Sequence, residues 1–453
     1  MLIEFKVTNY RSIRAEQTLS MVASNYSDEL PQNLISCDHV PGLKGVKLVK
    51  VVAIYGANAS GKSNIINAFR FFAEFIRDSA TKLQPGAATG VQPFKLDPAC
   101  LTEPSKFEMT AVINGIRMLH GIELTRERVT REYVVAYPKS KPQVWFEREW
   151  DGGKYQWSKS TAHFKHDAAL REKTSENVSF VSVGAQFNHT QAKVLYDWYR
   201  AHARIALIEQ HESQYFSIRI MVTDESKRLE LLKVVKSADL GAVDIQIRKL
   251  DWRAVMEIAL KTQMHDSARV KAEALDWQKE IESSTTKDLE RHRSSLEKAA
   301  QLLSTPELVH QGAESYKVAL DYDEEESSGT KRFLDLMAQL SMAREEDQMA
   351  VFDELETSLH PLLAKALLEF VLSKTEIPHT AQLLFTTHNP LLLDQTLLRR
   401  DQIWFTEKDQ EGATRLYPLT DFKPRKDESL IKGYLAGRYG GIPFIPAGLS
   451  PES

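Results

Sequence analysis

Between the apolar run Val51 to Tyr55 and an amphipathic segment from Asn64 lies GANASGKS, Gly56 to Ser63, which constrains the fold of this 453-residue chain more than any other feature. It matches GxxxxGK[ST], a pattern that works only between a strand and a helix. Both flanks comply. Val51 to Tyr55 has the unbroken apolar character of a strand buried on both faces. After it, SNIINAFRFFAEFIRDSA places Ile65, Ile66, Phe69, Phe72 and Ile76 at three- and four-residue spacings, the stripe of an amphipathic helix. Glycines let the backbone wrap closely around phosphate, consecutive N–H groups turn inward, and the helix N-terminus adds positive potential. Lys62 is then expected at the β- and γ-phosphates and Ser63 as a ligand of Mg²⁺. Gly56, Asn58, Ala59, Ser60, Gly61 and Asn64 complete the expected nucleotide-binding positions.

Three further segments place chemistry at strand ends. MAVFDELE, Met349 to Glu356, ends an apolar strand with adjacent carboxylates. Asp353 suits the Mg²⁺ shell, and Glu354 suits a general base that polarises an attacking water. Alone, the same acids could simply favour a helix N-terminus through its dipole. QLLFTTHNP, Gln382 to Pro390, ends a second apolar strand at His388, whose imidazole can bond a γ-phosphate oxygen or the attacking water. ESSGTKRF, Glu326 to Phe333, joins small hydroxyl residues and a glycine to a helix start, and there Ser327 or Ser328 serves equally well as an N-cap.

The rest of the chain reads as a mixed α/β body. Ile3, Phe5 and Val7 alternate with polar neighbours, and residues of about 105–185 form short alternating stretches of a β-rich lobe. From about 190 to 305 the pattern turns helical and heavily charged, and Leu289, Leu296 and Leu303 recur every seven residues, too few heptads for a long coiled coil. The last third alternates strand and helix, which implies a parallel sheet with ligands at its carboxyl ends. The expected domains are 1–190, an N-terminal ATPase half; 191–305, a helical insert; and 306–453, a C-terminal half.

Lys and Arg total 58 against 62 Asp and Glu, for a net charge of −4, which excludes a uniformly basic nucleic-acid coat but leaves a local groove open. Cys37 and Cys100 lack a CxxC partner, as in a reduced cytoplasmic protein without a cysteine metal site. No run of 18 apolar residues exists, so no membrane span is expected.

In order, GANASGKS, ESSGT, VFDELETSLHP and FTTHNP resemble the RecF/OLD-like branch of ABC/SMC-type P-loop ATPases. NYRSI near the start and YLAGRYGGIPF near the end resemble the RloA/AbiL-like bacterial ATPases. The resemblance implies an α/β fold, an ABC-type ATPase head with a β-rich lobe and an inserted helical subdomain, hydrolysing ATP with Mg²⁺. It implies that Ser328 and Gly329 cap a nucleotide bound to a second subunit, in a homodimer or higher homo-oligomer with composite sites. Gln92, in VQPFKLDP, falls where the family has a glutamine that meets both nucleotide and Mg²⁺, though a loop glutamine is as readily solvated. Arg11 of NYRSI either approaches phosphate or closes the first hairpin. Two departures set the chain apart from transporter ATPases: SSGT replaces LSGGQ, and His360 stands where an aspartate is common. The implied biology is bacterial anti-phage defence beside a separately encoded, nuclease-like effector. The alternative is a RecF-like DNA-repair clamp, with DNA a weak ligand in the first case and a tight one in the second.

Overall fold

The computed structural model describes residues 1–25, 30–159, 163–165, 168–206, 210–249, 304–374, 379–426 and 428–443. They fall into two compact units, Met1–Ile208 with Leu340–Ser453, and Glu209–Gln339.

In the first unit, the chain begins with β1 (Leu2–Thr8) and β2 (Gln17–Ser20), followed by the small hairpin of β3 (Leu34–Ser36) and β4 (Lys47–Val49). Then come β5 (Val51–Gly56), α1 (Lys62–Lys82) and the strands β6 (Ser105–Ile113), β7 (Ile116–Leu124), β8 (Val129–Lys139), β9 (Lys141–Trp150) and β10 (Tyr155–Trp157). Short helices α2 (Ala168–Glu172) and α3 (Phe180–Gln186) precede α4 (Thr190–Ala206). β1, β2 and β6 to β10 form one antiparallel seven-stranded sheet in the order β10-β9-β8-β7-β6-β1-β2, the β-rich lobe expected at about 105–185, although its strands end at Trp157 and α2 and α3 take the last part of that range. Its inward side chains meet α1: Phe5 packs edge-on to Phe69 at 5.4 Å, and Phe72 stacks on Phe107. Ile65, Ile66, Phe69, Phe72 and Ile76 are all buried, so the stripe read from the sequence is the face that packs.

The second sheet is assembled from distant segments: β14 (Met349–Phe352), β15 (Gln382–Thr387), β16 (Ile403–Lys408) and β17 (Thr414–Pro418) join β5 in the order β14-β15-β5-β16-β17. β14, β15, β5 and β16 are parallel and β17 is antiparallel. Every residue of β5, β14 and β15 is buried, as continuous apolar runs in a covered parallel sheet require. The register pairs Tyr55 with Thr387, Gly56 with Thr406 and Phe352 with Phe385, which brings the carboxyl ends of four strands to one edge. Helices α8 (Pro361–Leu372) and α9 (Leu430–Leu435) complete this unit. The α/β fold expected from the sequence is the fold observed.

In the second unit, α5 (Gln210–Thr223) and α6 (Glu225–Ser237) accompany the antiparallel sheet of β11 (Ala242–Arg248), β12 (Thr305–Gln311) and β13 (Lys317–Asp321). The region from 191 to 305, expected as a helical insert, therefore also contains a strand. AVDIQIR alternates about Ile245 and Ile247 with a period of two, and a partner strand more than fifty residues on stabilises it. Leu289, Leu296 and Leu303 lie outside the described residues. Helix α7 (Ser328–Glu345) opens behind Ser327, whose Oγ accepts the Thr330 N–H at 3.0 Å. Beside it the buried Glu326 binds His310 at 2.6 Å.

Candidate functional site

The loop after β5 is shaped by two residues in left-handed conformation, Ala59 (φ 64°) and Gly61 (φ 108°). A Cβ on Gly61 would overlap Thr414, and one on Gly56 would overlap the Thr406 hydroxyl, so both glycines are required by close approach. A chain of hydroxyls fixes the loop from behind: Ser60 Oγ meets Thr406 Oγ1 at 2.7 Å, and Thr414 Oγ1 donates to the Ser60 carbonyl at 3.1 Å. Asn64 Nδ2 donates to Ser12 Oγ at 2.6 Å, which in turn meets Thr414 Oγ1 at 2.7 Å. The loop is thus preorganised, with Asn58 and Ala59 exposed at its tip.

Lys62, at the first turn of α1, is 6% exposed. Its ammonium donates to the carbonyls of Gly56 and Ala57 at 2.7 and 3.1 Å. Burial lowers its pKa, and the charges of Glu354, Asp353 and Glu356 oppose the shift. Those three acids follow β14. Thr386 Oγ1 donates to Asp353 Oδ1 at 2.5 Å and accepts the Glu354 N–H at 2.7 Å, tying the acids to the neighbouring strand. Glu354 has φ 50°, and Thr357 Oγ1 donates to its Oε2 at 3.2 Å. A non-glycine residue held there costs about 1–3 kcal/mol, strain of a kind that clusters at functional sites. His388 follows β15 with its side chain 57% exposed, and its backbone N–H donates to Glu356 Oε1 at 2.7 Å.

A cavity of about 840 Å³ is lined by Gly56 to Ser60, by His388, by Thr406, Glu407 and Lys408 of β16, and by Tyr434, Leu435 and Gly441. The last group lies in YLAGRYGGIPF and forms a wall, a role the sequence reading had not given it. Gly441 N–H donates to Glu407 Oε1 at 2.8 Å, and Gly440 and Gly441 both have positive φ. A second cavity, of about 450 Å³, is lined by Arg11, Ser12, Asn64, Gln92 to Leu96, Lys408 and Gly412.

The structure therefore brings Gly56, Asn58, Ala59 and Ser60 together with His388, and Lys62 close enough to feel Asp353 and Glu354. Gln92 lines the second cavity with Arg11 and Asn64 and is absent from the first; its carbonyl accepts the Arg11 N–H at 2.7 Å. Ser63 stands half-buried at the start of α1, while Ser328 and Gly329 belong to the other compact unit. Glu356, Thr386 and Lys408 were missed. Only Glu356 left a trace, as a third acid in DELE.

Ser63 and Asp353 carry oxygen donors of the kind that Mg²⁺ takes, one or two from protein beside phosphates and waters rather than a full protein cage. Among the described residues no group of three His, Cys, Asp or Glu is placed to hold a metal ion by itself. No helix among them is long and apolar enough to cross a membrane.

Residues 51–394, from the strand before the loop to the segment after His388, match the family described as "AAA domain, putative AbiEii toxin, Type IV TA system". The chain belongs to this family. The AAA domain so defined is a P-loop ATPase domain, and it spans both strand ends that carry Asp353 and His388. Comparison with curated proteins found no match. Among solved structures, the SMC head domain from Thermotoga maritima is 13% identical with a TM-score of 0.40, over 92% of this chain and 98% of that one. A second, an SmcHead bound to the C-winged helix domain of ScpA, is 11% identical with a TM-score of 0.35, over 96% and 99%.

Proposed function

We propose that this family member is a Mg²⁺-dependent ATPase in which Lys62 binds the β/γ-phosphates, Ser63 and Asp353 hold the metal, Glu354 activates water and His388 meets the γ-phosphate. One observation carries the reading: Lys62, the strained Glu354 and His388 converge from three strand ends on the preorganised loop. The second cavity, with Arg11, Asn64 and Gln92, adjoins the first through Lys408 and suits the nucleoside, which makes Gln92 a nucleoside-side residue as readily as a metal ligand.

Two copies complete each site. The loop tip and His388 are open to solvent, and a water-excluding cover is what hydrolysis at such a site requires. Ser328 and Gly329 of a second copy supply it in this proposal. The biological role we assign is sensor or scaffold in an anti-phage system, acting with a separately encoded effector. A family description that names a toxin–antitoxin system, itself a two-component arrangement, supports that choice.

Lys62→Ala should abolish tight ATP binding in calorimetry, and Gly329→Arg should bind ATP yet release no phosphate. Mixing these two inactive proteins should restore part of the activity, because one intact composite site forms in the mixed dimer. Unchanged affinity in Lys62→Ala sinks the loop assignment; full activity of Gly329→Arg alone sinks the trans site.

A further inference from the structure

Glu356 is two residues beyond the proposed base and is not needed for any step so far. It is 8% exposed, and its Oε1 does two things at once. It accepts the backbone N–H of His388 at 2.7 Å and lies 3.2 Å from His388 Nδ1. Its Oε2 is buried with no hydrogen-bond partner among the described residues. A buried carboxylate kept only for packing would have both oxygens satisfied or would be replaced by an apolar side chain, since an unpaired buried oxygen is costly. The arrangement therefore points to a task beyond packing.

We propose that Glu356 is the positioning residue of His388: its Oε1 holds the hydrogen on Nδ1, so that Nε2 is the ring nitrogen presented to the phosphate cavity. This rests on the ATPase reading above. The physical basis is general, because the bond made by one ring nitrogen fixes the tautomer and the direction of the other. The one oxygen binds the backbone N–H and stands within charge contact of the ring, beside a side chain that is otherwise largely exposed. In this proposal Glu356 does not activate water itself; it acts through the imidazole.

The test uses the full chain. Glu356→Leu fills the same volume and removes the acceptor; Glu356→Gln keeps a carbonyl oxygen that can accept both bonds. Glu356→Leu should lower kcat at least about tenfold with KM for ATP little changed, while Glu356→Gln stays within about threefold of wild type. In a His388→Ala background Glu356→Leu should have no further effect, because the two act as one unit. Independently of turnover, ¹⁵N spectra of histidine-labelled protein, assigned by difference with His388→Ala, should show a protonated Nδ1 at residue 388 in wild type and Glu356→Gln. In Glu356→Leu the ring should shift to the Nε2–H tautomer. An unchanged tautomer in Glu356→Leu, or rate losses that add fully to those of His388→Ala, overturns the proposal. Were wild type to release no phosphate from ATP, the ATPase reading would fall, and the ¹⁵N result alone would still decide whether Glu356 sets the ring.

Discussion

The first unit contains two groups of acids treated in opposite ways. In the β-rich lobe, Glu132 is fully buried and saturated: Arg148 Nε donates at 2.9 Å, Ser179 Oγ at 2.7 Å and the Phe180 N–H at 2.8 Å. Burial alone would raise its pKa, yet the guanidinium of Arg148, His120 and the Phe180 N–H hold it down at about 2. Through Ser179, the N-cap of α3, this acid docks α3 against α1, where Ser79 Oγ accepts the Ser179 N–H at 3.0 Å. At the edge of the parallel sheet, by contrast, Asp353 and Glu354 are half-exposed, Glu354 sits in a strained backbone conformation, and Glu356 keeps one oxygen unpaired. A charge whose partners are complete stabilises the fold. A charge held in place with bonding capacity left over is available for a ligand.

The contrast can be broken by exchanging what each centre is expected to lose. Glu132→Gln should cost about 3–5 kcal/mol of stability, because Arg148 is left as an uncompensated buried charge, and should leave ATP affinity of the folded protein unchanged. Thermal unfolding followed against pH sharpens it. With a folded pKa of about 2 and an ordinary value of 4.5, the Glu132 contribution is fully present above about pH 4.5 and is lost as pH falls through 2; that acid limb should be missing in the variant. Glu354→Gln should do the reverse, slowing phosphate release by about 10²-fold, or about 2.7 kcal/mol of barrier, with Tm unmoved. The smallest effect is the most pointed: Glu354→Gly should be inactive yet more stable by about 0.5–1 kcal/mol, since glycine relieves the left-handed backbone. A lower Tm in that variant would mean that Glu354 is a structural acid after all.

Much of the site was legible because its parts are local patterns. Val51 to Tyr55, MAVF and QLLFTT are short apolar runs with chemistry at one end, and each is a buried parallel strand ending where the sequence placed it. The walls were not legible, because nothing near Thr406, Thr414 or Gly441 in sequence records a partner such as Ser60, 354 residues away from Thr414. For Gln92 the expectation of nucleotide and metal rests on its distance past the loop and on PFKLDP; its carbonyl accepts the Arg11 N–H and it lines the second cavity, which fits a nucleoside-side role as well as a metal one. At ESSGT local chemistry was sufficient for Ser327, which caps its helix, and says nothing about what Gly329 meets in another copy.

The sheet order has a consequence in time. β5 is the central strand, and its two neighbours come from the far end of the chain: Gln402, just before β16, reaches the Val51 carbonyl across 351 residues. A ribosome adding about 5–20 residues per second makes that interval about 20–70 s. Until β15 is made, near the end of that interval, six consecutive residues that end up wholly buried have neither flanking strand to pair with. Such a segment is prone to aggregate while it waits. The polar glycine loop and the helix behind it are made at once and can shield one end, so slow translation or a missing C-terminal third should be felt first as insolubility of the nascent chain, well before any loss of catalysis can be measured.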